Sequence, residues 1–146
     1  GGLGQLSTNV PPRDKTKGAS SILQKDSAES ISSRTSPHLL ASQIRNGTMT
    51  KSLTMPQAID LVDVLKGHVS SRKLYLKVAC LAVLKYDSDG EPLTPAEVSF
   101  RSKKYTSKNC TMSPRTCASV LAMLSRIGIV GRTQGKPFYY WWHQNV

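Results

Sequence analysis

The chain has 146 residues and a formal net charge of +11, with 20 Lys and Arg against 9 Asp and Glu. That length holds one domain of ordinary size, or a smaller one with a tail, and no apolar stretch approaches the roughly 20 residues of a membrane span. Cys80, Cys110 and Cys117 form no paired framework and no C-x-x-C, and His38, His68 and His143 match no metal spacing, so neither a disulfide scaffold nor a zinc module is expected.

Residues 1–52 read as a basic tail or linker, distinct from a folded domain over 53–146. The tail is rich in Ser, Thr, Gly and Pro, and residues 1–50 contain no Phe, Tyr or Trp. Such a segment buries too little apolar area to offset its chain entropy, so disorder is the expectation. One stretch differs: Pro37-His38-Leu39-Leu40-Ala41-Ser42-Gln43-Ile44-Arg45 reads either as a transient helix without a role or as an amphipathic turn that docks on the domain or a partner. The chain opens on Gly1-Gly2-Leu3-Gly4, with no charged-then-apolar signal pattern and no initiating Met, as expected of an intracellular fragment or processed product.

From Thr54 the pattern is helical. Thr54-Met55-Pro56-Gln57 is a cap with Gln three residues on, Ile59, Val62 and Leu65 recur at helical spacing, and Gly67 ends the element. A second helix over 71–86 is apolar on most of its surface, which predicts a central position in the core. Asp87-Ser88-Asp89-Gly90 breaks it as a turn. Thr94-Pro95-Ala96-Glu97 opens a third helix over 94–105: Thr caps, Pro takes the first helical position and Glu reaches back to the cap amide. Val98 and Tyr105 form its apolar face, with Phe100 beside them. After a polar loop, Ser113-Pro114 opens a fourth helix over 114–127, whose inner face is Cys117, Val120, Leu121, Leu124 and Ile127. Gly128 stops it. Ile129-Val130 and Pro137 to Trp142 read as strands around the basic tip Arg132-Thr133-Gln134-Gly135-Lys136.

Charge is distributed unevenly along this pattern. Glu97 is the last acid, and the 49 residues after it carry eight Lys or Arg. A one-signed surface repels itself, and nucleic-acid phosphate is its commonest partner. No paired carboxylates, no supported nucleophile set and no phosphate loop appear, so a non-catalytic binding module without cofactor or metal is expected.

Three helices followed by a basic hairpin, with Leu93-Thr94-Pro95-Ala96-Glu97-Val98 and Met123-Leu124-Ser125-Arg126-Ile127-Gly128-Ile129-Val130 at the junctions, resemble the winged helix-turn-helix superfamily. The fold implied is mainly α with a small β-hairpin wing and an extra N-terminal helix over 55–66. Over about residues 57–131 the chain also resembles the C-terminal winged-helix domain of the origin-recognition and helicase-loader replication initiators. The Val69-to-Leu76 stretch and the run from Ser113 to Gly128 carry that likeness. It departs from that family in lacking a G-x-x-x-x-G-K-[ST] loop, so the ATPase half is missing.

The resemblance implies binding of double-stranded DNA in replication or transcription, in a nucleus or nucleoid. The helix over 114–127 would enter the major groove, and the wing over 131–136 would lie on the adjacent backbone or minor groove. Arg115 either reads guanine or neutralises a phosphate. Ser113 suits a phosphate oxygen, and Thr116 and Ser119 stand with Ala118 and Ala122 toward solvent. Arg101, Lys103, Lys104 and Lys108 would track the backbone, and Arg132, Gln134 and Lys136 would form the wing contacts. Tyr139 and Trp141 carry the alternative function, a protein-interaction winged helix within a nucleic-acid machine. Their strand bears rings on both faces, which fits a protein partner, a homodimer, a base-stacking platform or packing against the 55–66 helix.

Overall fold

The computed structural model describes residues 36–47 and 52–143. It contains helices α1 (Pro37–Gly47), α2 (Met55–Leu65), α3 (Leu74–Tyr86), α4 (Pro95–Ser102) and α5 (Pro114–Arg126), a 3-10 turn over Lys108–Cys110, and strands β1 (Val130–Arg132) and β2 (Tyr140–Trp142). The strands pair antiparallel, Val130 with Trp142, Gly131 with Trp141 and Arg132 with Tyr140. The described part is therefore mainly helical with a two-stranded hairpin.

Helix starts follow the sequence closely because side chains satisfy amides that the helix itself leaves unpaired. Thr54 Oγ1 accepts from the Gln57 amide while Gln57 Oε1 accepts from the Thr54 amide. Thr94 and Glu97 repeat this box on α4, and Ser113 Oγ accepts from the Thr116 amide on α5. Other boundaries are shorter than predicted. Helix α3 begins at Leu74 because Lys77 Nζ donates to the carbonyls of Ser70 and Arg72, at 3.2 and 2.8 Å, and Lys73 turns left-handed at φ 50°. Helix α4 ends at Ser102 because the next amides bond three residues back, as in Tyr105 N–H to Ser102 O at 2.8 Å. The ladder of β2 starts only at Tyr140, since Thr133 Oγ1 accepts from the Tyr139 amide and closes the hairpin loop before it.

The core is centred on α3, where Val78, Ala79, Cys80, Leu81, Ala82 and Val83 have no exposed surface. Around it pack Leu61, Val62 and Leu65 of α2, Val98 of α4, Leu121 and Leu124 of α5, and Tyr140 of β2. The four buried hydroxyls are satisfied: Ser88, Ser99, Ser102 and Thr106 all donate to backbone carbonyls. The hydrogen bond shared with Cys117, and burial after it, push the Cys80 thiol well above its ordinary pKa.

One finding corrects the sequence reading, and two add to it. Residues 37–47, expected within the disordered tail, form a helix whose Leu40, Ala41 and Ile44 are buried against the domain. Their i, i+1, i+4 spacing gives one apolar stripe, enough to bury without any aromatic ring. The disorder expected for residues 1–35 and 48–51 lies outside the described residues. Leu93 forms an isolated bridge with Tyr140, with N–H···O bonds of 2.9 and 2.8 Å, and ties the entry of α4 to the hairpin. Phe100, expected beside the apolar face of α4, is 70 % exposed.

The cap of α4 carries a pH signature. Glu97 is held below the usual carboxylate range, chiefly by the Thr94 amide it accepts from. A depressed carboxylate stabilises the fold above its unfolded pKa, and that contribution is lost as pH falls through the folded value. Glu97→Gln should therefore melt below the parent protein at neutral pH and match it in acid. An offset that persists unchanged into acid would contradict this. Thr94→Ala should cost about 1 kcal/mol.

Candidate nucleic-acid interface

The pair α4 and α5 is built as one unit. Ser99 Oγ, buried on α4, donates to Met112 O at 2.8 Å, just before α5 begins. Ser102 Oγ donates to Ser99 O at 2.7 Å, and Thr106 Oγ1 donates to Ser102 O at 3.3 Å. These bonds fix the turn between the helices, so the start of α5 is set by α4 rather than by a loose loop.

Helix α5 buries Cys117, Leu121 and Leu124. Its outer surface carries Arg115, Thr116, Ser119 and Arg126, all exposed, while Ala118 and Ala122, expected at the surface, are half-buried. At 100° per residue, Arg115, Ser119, Ala122 and Arg126 form one stripe, with the two arginines about 16 Å apart along the axis. Arg126 was absent from the sequence-derived site. Its spacing of i+11 from Arg115 was the available signal, hidden because the last turn of a helix reads first as a cap. Ser113 is exposed, and its Oγ is also 3.1 Å from Thr116 Oγ1.

The basic residues before α5 divide into two groups. Arg101 is half-buried and its Nη1 donates to Asp87 O at 2.6 Å, so it clasps the end of α3. Lys104 Nζ lies 2.8 Å from Asp87 Oδ1; that hydrogen bond is the main reason its pKa is raised. The Asp87 carboxylate thus offsets the charge of Lys104. Lys103 and Lys108 are exposed; Lys103 Nζ stands 5.3 Å from the centre of the Phe100 ring. Lys108 lies on the 3-10 turn leading to α5, nearest in the chain to Ser113 and Arg115.

On the hairpin, Gln134 and Lys136 are exposed at the tip. Arg132 is exposed too, with its guanidinium 4.3 Å from the centre of the Phe138 ring, which limits its rotamers while leaving its charge outward. The aromatic strand is less free than expected. Tyr140 is buried, Trp142 packs on Lys85 Nζ at 4.9 Å, and Trp141 is half-buried. Trp142 of this strand therefore packs on α3. Tyr139 is 37 % exposed. Trp141, Trp142 and His143 line a cleft of about 520 Å³ with Leu84, Lys85, Ser88, Gly90 and Pro92.

Trp141 lies flat across Gly131, where an added Cβ would meet ring atoms at 2.2 to 2.6 Å. Gly131→Ala should displace that ring, shift its fluorescence and cost about 1–3 kcal/mol. Adding Trp141→Ala should relieve the clash, so the double variant should lose less than the sum of the singles. Strict additivity would contradict this packing.

Among the described residues no three His, Cys, Asp or Glu side chains converge as a metal site, and no helix is long and apolar enough to cross a membrane. Neither a protein-family model, nor a curated protein, nor a solved structure matches the chain.

Proposed function

We propose that this chain is a winged helix-turn-helix module that binds double-stranded DNA without catalysis. The observation that carries this reading is the outer stripe of α5. It is basic at both ends and small between them, and it stands on a helix pair locked by buried hydrogen bonds. Small residues let a helix approach base edges, and basic residues at its ends meet phosphates on either side. The Leu93–Tyr140 bridge supports the fold assignment, because it adds a third strand position before the second helix of the motif. The hairpin with Arg132, Gln134 and Lys136 serves as the wing.

In this reading α3, α4 and α5 are the three helices of the motif, and α2 is the added N-terminal helix. The resemblance to replication-initiator domains supports work on DNA in replication or transcription, within a nucleus or nucleoid. In this proposal Lys103, Lys108 and Arg126 supply backbone affinity, and Arg115 in the first turn of α5 reads a base. The rival reading, protein docking through the aromatic strand, is favoured by the cleft under Trp141 and Trp142.

Arg115→Ala separates these possibilities. On a site selected from randomised duplexes it should cost on the order of 1–3 kcal/mol, and much less on random DNA, if Arg115 reads guanine. An equal loss on both sequences assigns it to phosphate alone. No loss on either, with binding of a protein partner abolished by Trp141→Ala, would overturn the DNA reading in favour of docking.

A further inference from the structure

Three sulfur atoms meet in the core between α3 and α5 and have no part in nucleic-acid binding. Cys80 Sγ lies 3.6 Å from Met112 Sδ and 3.8 Å from Cys117 Sγ. Cys80 and Cys117 have no exposed surface, and Met112 is 4 % exposed. A metal–thiolate bond of about 2.3 Å spaces the sulfurs of a trigonal or tetrahedral centre roughly 3.8–4.0 Å apart. Both separations from Cys80 fall at or just under that spacing, so Cys80 already holds two edges of such a centre.

The donor set decides the class of ion. No imidazole or carboxylate completes it, since no three His, Cys, Asp or Glu side chains converge among the described residues. Two thiols and a thioether suit soft monovalent ions and disfavour magnesium, calcium and manganese, which need oxygen ligands. Zinc prefers a fourth N, O or S donor that the site does not offer. We propose that Cys80, Cys117 and Met112 form a binding site for one thiophilic monovalent ion, of the Cu(I) or Ag(I) class.

Binding forms two metal–thiolate bonds and one metal–thioether bond. Both thiol protons pass to solvent and no electron is transferred. The occupied centre carries one net negative charge. Cys117 is in the first turn of α5, the helix end that favours negative charge, and the chain as a whole is at +11. Cys80 is on α3, Met112 just precedes α5 and Cys117 is within it, so the ion staples α5 to the central helix. Occupancy therefore stabilises the fold by mass action.

The test is a titration of the full chain with Cu(I) under anaerobic, reducing conditions against a chromogenic Cu(I) chelator, with native mass spectrometry for stoichiometry. The parent and Cys110→Ser should each retain one ion and melt at a higher temperature with it. Cys80→Ala and Cys117→Ala should retain none. Met112→Leu keeps the volume of the core, so it should fold normally yet lose affinity by at least the roughly tenfold that outer ligand-supporting groups cost. No uptake by the parent overturns the site. So does uptake that survives in both Cys80→Ala and Cys117→Ala, uptake lost with Cys110→Ser, or loss of helical circular dichroism as Cu(I) is added.

Discussion

Alanine at Lys103, Lys108 and Arg126 together is expected to weaken binding to unrelated duplexes by roughly 10–100-fold near 0.1 M salt. The same change should lower the salt slope by about 2.7, because each phosphate contact contributes about 0.9. All three side chains are exposed, and no acid follows Glu97 in the chain to neutralise them. Lys104→Ala makes the internal control. Its ammonium is already held by Asp87, so its removal should cost far less than removal of Lys103. Asp87→Asn should act in the opposite direction and tighten binding by releasing Lys104. If Lys104→Ala weakens binding as much as the triple change, the Asp87 pair does not govern the charge of this surface. Filter binding or fluorescence anisotropy at three salt concentrations reads all of these values.

The second large effect is on stability. Leu121→Ala removes a side chain with no exposed surface from the inner face of α5. Such truncations cost about 2–5 kcal/mol, the loss of transfer energy adding to a cavity that relaxes only in part. For a domain of this size each kcal/mol lowers the melting temperature by roughly 4–8 °C. Leu39→Ala, on a position of α1 that is 50 % exposed, should stay within about 0.5 kcal/mol of the parent. Thermal and urea unfolding by circular dichroism give both numbers. Similar losses at the two positions would mean that α5 does not close the core.

Much of the fold is legible in the sequence because local chemistry and the packing pattern agree. Thr54, Thr94 and Ser113 each sit before a proline-containing first turn, and all three cap a helix. The inner face of α5 reads directly from its i, i+3, i+4, i+7 spacing. What is not legible depends on long-range partners. Nothing near Leu93 signals that it pairs with Tyr140, 47 positions away, since one bridge leaves no alternation to detect. Arg101 and Lys104 look like free cations in sequence, and only the approach of Asp87 from the end of α3 shows that they are engaged. The flat seat of Trp141 depends on the missing Cβ of Gly131 across the ladder, and sequence spacing alone does not set that register. Helix α1 is legible only as one of two readings of residues 37–45, because its composition matches the tail around it although its buried stripe is apolar.

The most direct test is to map the bound surface on the intact, isotope-labelled chain. Amide and side-chain NMR shifts would be followed as a short duplex is added at low salt. The expected result is that the largest changes cluster at Lys103, Lys108, Ser113 to Ser119, Arg126 and the hairpin tip from Arg132 to Lys136. Lys85, Ser88 and Pro92, which line the cleft under Trp141 and Trp142, should stay unmoved, and the Arg101 guanidinium should keep its contact to Asp87. Changes confined to Trp141, Trp142 and His143, or no change at any of the named residues, would contradict DNA binding through α5.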